Sequence, residues 1–460
     1  MPNKFLTILF TSLTLTCMDQ DLSAQVLTLN DAVEKALTNY GTIKAKNNYL
    51  NASRATVLQS KKEYLPNLNF SAQQDYGTVN GQNGPLYGMG LSVASSGLPL
   101  PNQNWNSAFG ALYLTNVNWD FFAFGRAKER IHVSEAIVKR DESDLAQEQF
   151  QHSIRVASAY LNLIVAQRLT RSWENNLERA VAIKNVVITR AKNGLIAGVD
   201  SSLANAEVSN AKISITQAKD LEQEQANNLA RLMGVTEQNF VLDTMFVTKM
   251  PAEVEDSVYR TENHPLLQFY SNRIAVSNQQ AKYFHTLGMP VFSLFGVFQG
   301  RGAGFSSNYA VDQSAFSQSY FEGIKPVRAN YLLGIGATWN VTNIFRTRQQ
   351  VLSQNFVSNA LQEEYNVIDQ QIKNQLILSE TKIKNAVANF REAPVQVKSA
   401  ADAYLQKSVL YKNGLSNIVD LTQSLYILNR AETNRDVAFT NLWQALLLKA
   451  AASGDFGVFR

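Results

Sequence analysis

This sequence predicts a mainly helical fold with a transmembrane β-barrel contribution, built as a duplicated unit, and three observations predict it. The first is an internal repeat. Lys192-Asn193-Gly194-Leu195, with Asp200 beyond it, returns 220 positions later as Lys412-Asn413-Gly414-Leu415 with Asp420. The same offset carries Trp119-Asp120 onto Trp339-Asn340, Arg126 onto Arg346 and Gly234 onto Gly454, while an offset of 224 sets Asn39 against Asn263 and Pro66 against Pro290. A repeat this long means that one architectural unit is present twice. The other two observations are helices too long for an ordinary core and four alternating strands.

The helices come first in chain order. Leu29 and Asn30-Asp31 start a helix that Pro66 stops, so 29–64 reads as one element. From 125 to 193 the pattern is helical, with no proline and with glycine only at Gly125. A helix of about 69 residues is roughly 100 Å long at 1.5 Å per residue. A return helix over 199–232 carries Ala204, Val208, Ala211, Ile215 and Ala218 at 4-3-4-3 spacing, a seam of small and branched residues at coiled-coil period. Residues 252–287, 346–413 and 418–452 repeat the plan, and Pro394 must kink or interrupt the second long helix. The second seam reads Ser424, Leu428, Ala431, Arg435 and Ala438.

Strands are expected at about 67–79, 107–119, 290–299 and 329–340. Each alternates apolar and polar residues, as in Leu68, Phe70, Ala72 and Tyr76 against Asn67, Asn69, Ser71, Gln73 and Asp75. The expected lipid-facing set is Phe70, Tyr113, Trp119, Phe292, Phe298, Tyr331, Ile335 and Trp339. Alternation alone equally fits a half-buried sheet of a soluble domain. The long Gly-, Asn-, Ser- and Pro-rich loops at 80–106 and 300–328 favour a barrel, whose outward loops are long. Four strands cannot close one, since about eight is the practical minimum, so several copies must share the sheet.

Composition excludes several classes. Of 460 residues 45% are hydrophobic and 17% charged, with a formal net charge of +4 and no basic run among aromatics, so nucleic acid is not an expected partner. Met1 to Ala24 has the form of a secretory signal peptide: Lys4, an apolar run, then Leu22-Ser23-Ala24. Three segments follow: signal 1–24, first repeat 25–235, second repeat 236–460. Cys17, the single cysteine, either leaves with the signal or is the lipidated first residue of a lipoprotein; no disulfide framework is possible. Beyond the signal there is no apolar run of 18 residues, so no membrane-spanning helix is expected.

The chain resembles the TolC family of outer-membrane efflux proteins (outer membrane factors) over essentially the whole mature sequence. The residues that carry the resemblance are the two tips, Asn193-Gly194-Leu195 through Asp200 and Asn413-Gly414-Leu415 through Asp420, with Trp119-Asp120 through Gly125-Arg126 and Leu65-Pro66-Asn67-Leu68. The resemblance implies a homotrimer with a 12-stranded barrel in the outer membrane and a helical tunnel in the periplasm. It also implies docking to a periplasmic adaptor (membrane fusion) protein and an inner-membrane pump or ABC exporter.

At the tips, Gly194 and Gly414 stand where a helix ends, and glycine readily takes the left-handed conformation that ends it. Asp200 is expected to complement the start of its return helix. Asp420 has that reading and a second, implied by the resemblance: one acid per copy lining the tunnel entrance as a negative constriction. Gln423 stands where some members have a second acid, Tyr411 matches a gate tyrosine, and Ser416 stands where a gating arginine would be. Gly194, Leu195, Gly414 and Leu415 are the expected adaptor contacts, or else pack neighbouring tips.

No enzyme is expected. His132, His152, His264 and His285 spell no metal site, and Gly300-Arg301-Gly302-Ala303-Gly304 lacks the ending of a phosphate loop. No cofactor is implied. Two functions remain: a passive outer-membrane exit duct of a tripartite efflux or type I secretion system, and a soluble periplasmic coiled-coil adaptor or scaffold.

Overall fold

The structure, a computed structural model, describes residues 26–81, 97–236, 239–248 and 263–459. The signal segment, Cys17, part of the 80–106 loop and residues 252–262 of the helix expected at 252–287 lie outside the described residues. The chain divides into two compact units, each drawing on both repeats. One takes Met1–Lys44, Glu148–Arg260 and Ile372–Arg460; the other takes Ala45–Gln147 and Thr261–Gln371.

The long helices are α3 (Arg126–Lys192) and α8 (Asn343–Lys412), each followed by a return helix, α4 (Gly198–Met233) and α9 (Ile418–Ser453). α8 passes through Pro394 without interruption. The loss of one N–H does not end a helix that has 51 residues before it. The helix expected over 29–64 is instead two, α1 (Leu29–Asn39) and α2 (Gly41–Lys62). Between them Tyr40 is extended (φ −65°, ψ 122°) and its ring stacks on His152 at 3.8 Å. That stacking, next to a glycine of low helix propensity, outweighs continuity. Among the described residues no helix is long and apolar enough to cross a membrane.

In the first unit the core gathers where the helices come together. α1 buries Ala32, Val33 and Ala36 against Val156, Tyr160 and Leu163 of α3, Leu229 and Met233 of α4, and Leu446 and Ala450 of α9. The short helix α5 (Met245–Thr248) inserts Phe246 between Tyr160 and Trp443. The Tyr160 hydroxyl donates to the Leu27 carbonyl (2.7 Å) and accepts from Asp243 N–H (3.1 Å). Burial pushes this phenol up to about 12. Of the predicted seam, Ala204, Val208, Ala211 and Ala218 are buried and Ile215 is half-buried. In the second copy Ser424, Leu428 and Ala431 are buried, and Arg435 turns to Asp436.

The second unit holds one four-stranded antiparallel sheet of order β1-β2-β3-β4. Its strands are β1 (Asn67–Thr78), β2 (Ser107–Phe122), β3 (Val291–Ala303) and β4 (Arg328–Thr338). α6 (Pro265–Thr286) leads into β3, with Pro265 opening the helix where its missing N–H costs nothing. β2 and β3 run three and four residues past their expected ends, and the bulge between Trp119 and Phe122 lets β2 continue. The β3–β4 connection does not simply project outward. Its helical turn α7 (Tyr320–Ile324) folds back on one face of the sheet: Tyr113 Oη donates to the Ile324 carbonyl (3.1 Å) and Tyr320 Oη to Gln74 Oε1 (2.8 Å). The approach is close enough that a Cβ on Gly323 would stand 2.4 Å from that of Phe109, so only glycine fits.

Candidate functional site

The register sorts the sheet into two faces of opposite chemistry. Phe70, Thr115, Phe298 and Tyr331 form one row across all four strands; Leu68, Val117, Gly296 and Leu333 form the next. Trp119, Leu294 and Ile335 follow, then Phe292 and Ala337. Strand parity puts all eight residues of the expected lipid-facing set on this face, with Trp339 one step beyond β4. Directly opposed residues of antiparallel strands point to the same side. Phe70 is 76% exposed and Tyr331 80% exposed, with Phe298, Leu333, Ile335 and Trp339 also exposed. Tyr113, Trp119 and Phe292 are half-buried, Tyr113 under α7.

The opposite face takes every charge that the strands carry. Asp75 of β1, Asp120 of β2, Arg301 of β3 and Arg328 of β4 all have the parity of Asn69, Asn116 and Asn330. Ser293 Oγ donates to Asp120 Oδ1 at 2.6 Å, and Gln73 Nε2 lies 3.0 Å from both Asp75 oxygens. Aromatic rings gather at both ends of the apolar face. Tyr76, Phe109 and Tyr320 pack in tilted and edge-to-face contacts at the loop end, and Phe122, Phe124 and Phe292 in tilted contacts at the helix end. The indole N–H groups of Trp119 and Trp339 donate to the carbonyls of Tyr64 (2.8 Å) and Gly288 (3.1 Å). Their partners lie where helix passes into strand, so both rings are pinned at that junction.

The helix tips form the second candidate site, inside the first unit. Gly194 (φ 69°) and Gly414 (φ 78°) are left-handed. At each, the glycine N–H reaches back three residues (to Ala191 and Tyr411 carbonyls) and the leucine N–H five (to Arg190 and Leu410). This is a Schellman ending, which an L side chain strains. Leu195 and Leu415 are left exposed.

Around these matching turns the side chains differ. Tyr411 is 2% exposed, and its ring lies under the Arg190 guanidinium, 5.3 Å from the centroid. Arg190 Nη1 also donates to the Tyr411 carbonyl. Asp420 accepts from Lys407 Nζ (2.9 Å) and from Ser416 Oγ (3.3 Å), while Asn417 caps the return helix through Asp420 N–H (2.8 Å). Lys407 beside it holds the Asp420 carboxyl below the ordinary carboxylate range. Burial, then the charge of Asp200, pushes the Tyr411 phenol up, against Arg190. Asp200 lies in the first turn of α4, whose N-cap Ala197 makes no side-chain bond. Gln423 is exposed. About three turns further in, Arg179 of α3 pairs both Nη atoms with both oxygens of Glu432 on α9, at 2.9 and 2.7 Å.

The structure thus brings Tyr411, Ser416 and Asp420 together and adds Arg190, Arg179 and Lys407, which sequence reasoning missed. A signal for Arg190 and Lys407 existed. At the 220-residue offset Arg190 faces Leu410, Ala191 faces Tyr411 and Val187 faces Lys407. Polar residues thus stand at the tips where their repeat partners are apolar.

Residues 32–235 match the family pattern described as outer membrane efflux protein. Solved outer-membrane proteins share this chain's fold. The outer membrane protein VceC of Vibrio cholerae superposes with a TM-score of 0.72 at 16% identity, covering 93% of this chain and 96% of that one. The outer membrane channel CmeC of Campylobacter jejuni gives 0.73 at 14%, covering 93% and 85%. The open state of the MtrE channel of Neisseria gonorrhoeae gives 0.69 at 15%, covering 93% and 89%. At these identities the likeness is one of fold. No curated protein matches the sequence.

Proposed function

We propose that this chain is an outer membrane efflux protein, the exit duct of a tripartite efflux or type I secretion system, three copies closing a 12-stranded barrel in the outer membrane. The observation that carries the reading is the two-faced sheet. Its charges all lie on one side and its exposed Phe, Ile and Tyr on the other, with Leu68, Leu294 and Leu333 beside them, Leu332 on the charged side, and rings at both ends. This is the chemistry of a wall between lipid and an aqueous lumen. β1 and β4 are the edges of an open sheet whose strands alternate in direction. β4 of one copy can therefore pair antiparallel with β1 of the next, removing edges that lipid does not tolerate.

The tips supply a docking surface. Exposed Leu195 and Leu415 are apolar contacts for a periplasmic adaptor that connects the duct to an inner-membrane pump or ABC exporter. Arg190 clasps Tyr411 and Arg179 clasps Glu432, so the two hairpins of one copy are held together. Release of the clasps opens the entrance. Asp420 adds a negative group there, partly compensated by Lys407. Cargo moves without chemistry, so no residue is assigned a catalytic role.

The test is conductance. Mature protein purified from outer membranes in detergent should form trimers that open ion-conducting channels in planar bilayers. Release as a soluble monomer without detergent, the outcome a periplasmic scaffold predicts, would sink the duct.

A further inference from the structure

The duplicated tip motif carries a chemistry that its role in ending helices does not use. An asparagine side chain is open to attack by the backbone nitrogen of the residue that follows it. Glycine in that place permits the attack best, because it has no Cβ to shield the nitrogen and its backbone turns freely. The chain has four Asn-Gly steps: Asn80-Gly81, Asn83-Gly84, Asn193-Gly194 and Asn413-Gly414. Asn83-Gly84 lies outside the described residues. The two tip steps share the sequence Lys-Asn-Gly-Leu, so their intrinsic rates match and any difference between them belongs to the fold.

Both tip asparagines are exposed. Among the described residues the Asn193 amide has no hydrogen-bond partner, and nothing lies within 4 Å of where a Cβ on Gly194 would stand. Asn413 is held. Its Nδ2 donates to the Val409 carbonyl at 3.1 Å, which folds the amide back along its own helix and away from the Gly414 nitrogen. The turn behind it is braced as well. The Tyr411 carbonyl that accepts the Gly414 N–H (3.1 Å) also accepts from Arg190 Nη1, whereas the Gly194 N–H has only the Ala191 carbonyl (3.0 Å). Asn80 is locked at both ends of its amide, accepting from Asn104 N–H (2.8 Å) and donating to the Asn104 carbonyl (2.7 Å).

We infer that Asn193 is a site of spontaneous deamidation and that Asn413 is its protected twin. The Gly194 nitrogen gives up its proton and bonds to Asn193 Cγ. The bond from Cγ to Nδ2 breaks, and ammonia leaves with that proton as a cyclic imide closes. Water then opens the imide at either carbonyl, giving aspartate or isoaspartate. Either product puts a carboxylate at the C-terminal end of α3, where the helix dipole disfavours it. Isoaspartate also lengthens the backbone inside the turn that presents Leu195. The first tip is therefore the one that changes with age, while the second keeps its form.

The test is peptide mapping by mass spectrometry of the full mature chain, held folded in detergent at mildly alkaline pH and sampled over time. Aspartate plus isoaspartate should accumulate at 193 about fivefold faster than at 413, the factor that one extra hydrogen bond supplies, and position 80 should lag with 413. The same chain unfolded in urea should convert 193 and 413 at one rate. Arg190→Ala should speed conversion at 413 about threefold and leave 193 unchanged. Equal rates at the two tips of the folded chain overturn the inference. So does an Asn193 that stays intact while the unfolded chain converts. An Arg190→Ala chain whose Asn413 reacts no faster overturns the brace. None of these results depends on conductance, so the duct reading stands or falls separately.

Discussion

The two helix tips have the same backbone and different side-chain ties. Both end α3 and α8 with a left-handed glycine and the same pair of reach-back hydrogen bonds. Yet every polar neighbour of Asp420 is apolar in the first copy: Lys407, Ser416 and Asn417 correspond to Val187, Ile196 and Ala197. The first tip in turn supplies Arg190, the group that reaches across to the second. Duplication kept what the chain direction requires and freed the rest, so that one tip became the clasp and the other its seat.

The sharpest way to break this comparison is to remove the clasp. Arg190→Ala loses a charge-assisted hydrogen bond and a cation–π contact, together about 2 kcal/mol, which is roughly thirtyfold in the closed-to-open ratio. Single-channel recordings should show a larger or more frequently open state. Leu410→Ala, at the repeat-related position of the second tip, should not. If the two variants conduct alike, Arg190 holds nothing shut.

Next come the glycines. Gly194→Ala and Gly414→Ala should each cost about 1–2 kcal/mol, because both positions are left-handed. The second should cost more, since its new Cβ would stand 3.3 Å from Arg190 Nη2, whereas nothing lies within 4 Å at Gly194. Thermal unfolding of the two variants checks the order. Caps should show a smaller asymmetry: Asn417→Ala loses about 1 kcal/mol, and Ala197→Asn gains up to a similar amount by supplying the cap that α4 lacks.

What could be read from the sequence was whatever is local in the chain. Strand alternation, the tip glycines and the helix seams are set by residues within a few positions of one another, and the faces of the sheet follow from parity alone. Three features were not legible. Tyr40 leaves its helix for a ring on His152, more than a hundred residues away. α7 folds back on the sheet through Tyr113 and Gln74, and Arg190 meets Tyr411 across 221 positions. Each is a tertiary bond that overrides a local tendency, and no window of sequence contains both partners.

The smallest expected effects concern charge. Asp420→Asn should lower cation selectivity modestly and Lys407→Gln should raise it, while Asp200→Asn changes it less than either; reversal potentials in a salt gradient give the ranking.

Acidity tests the same contrast without a mutation. Lys407 holds the Asp420 carboxyl below its ordinary 3.8 in the folded chain, so the ionised form is the one the fold favours. The tie is therefore complete above pH 3.8 and is lost as pH falls through the lowered value. The first tip has Val187 in place of Lys407 and no such tie to lose. Amide exchange over 409–421, measured relative to 189–201, should accelerate as pH drops below 3.8 and stay constant from there up to neutrality. A ratio that does not change on acidification would mean that Lys407 and Asp420 are neighbours without consequence, and the two tips would then differ only in the clasp.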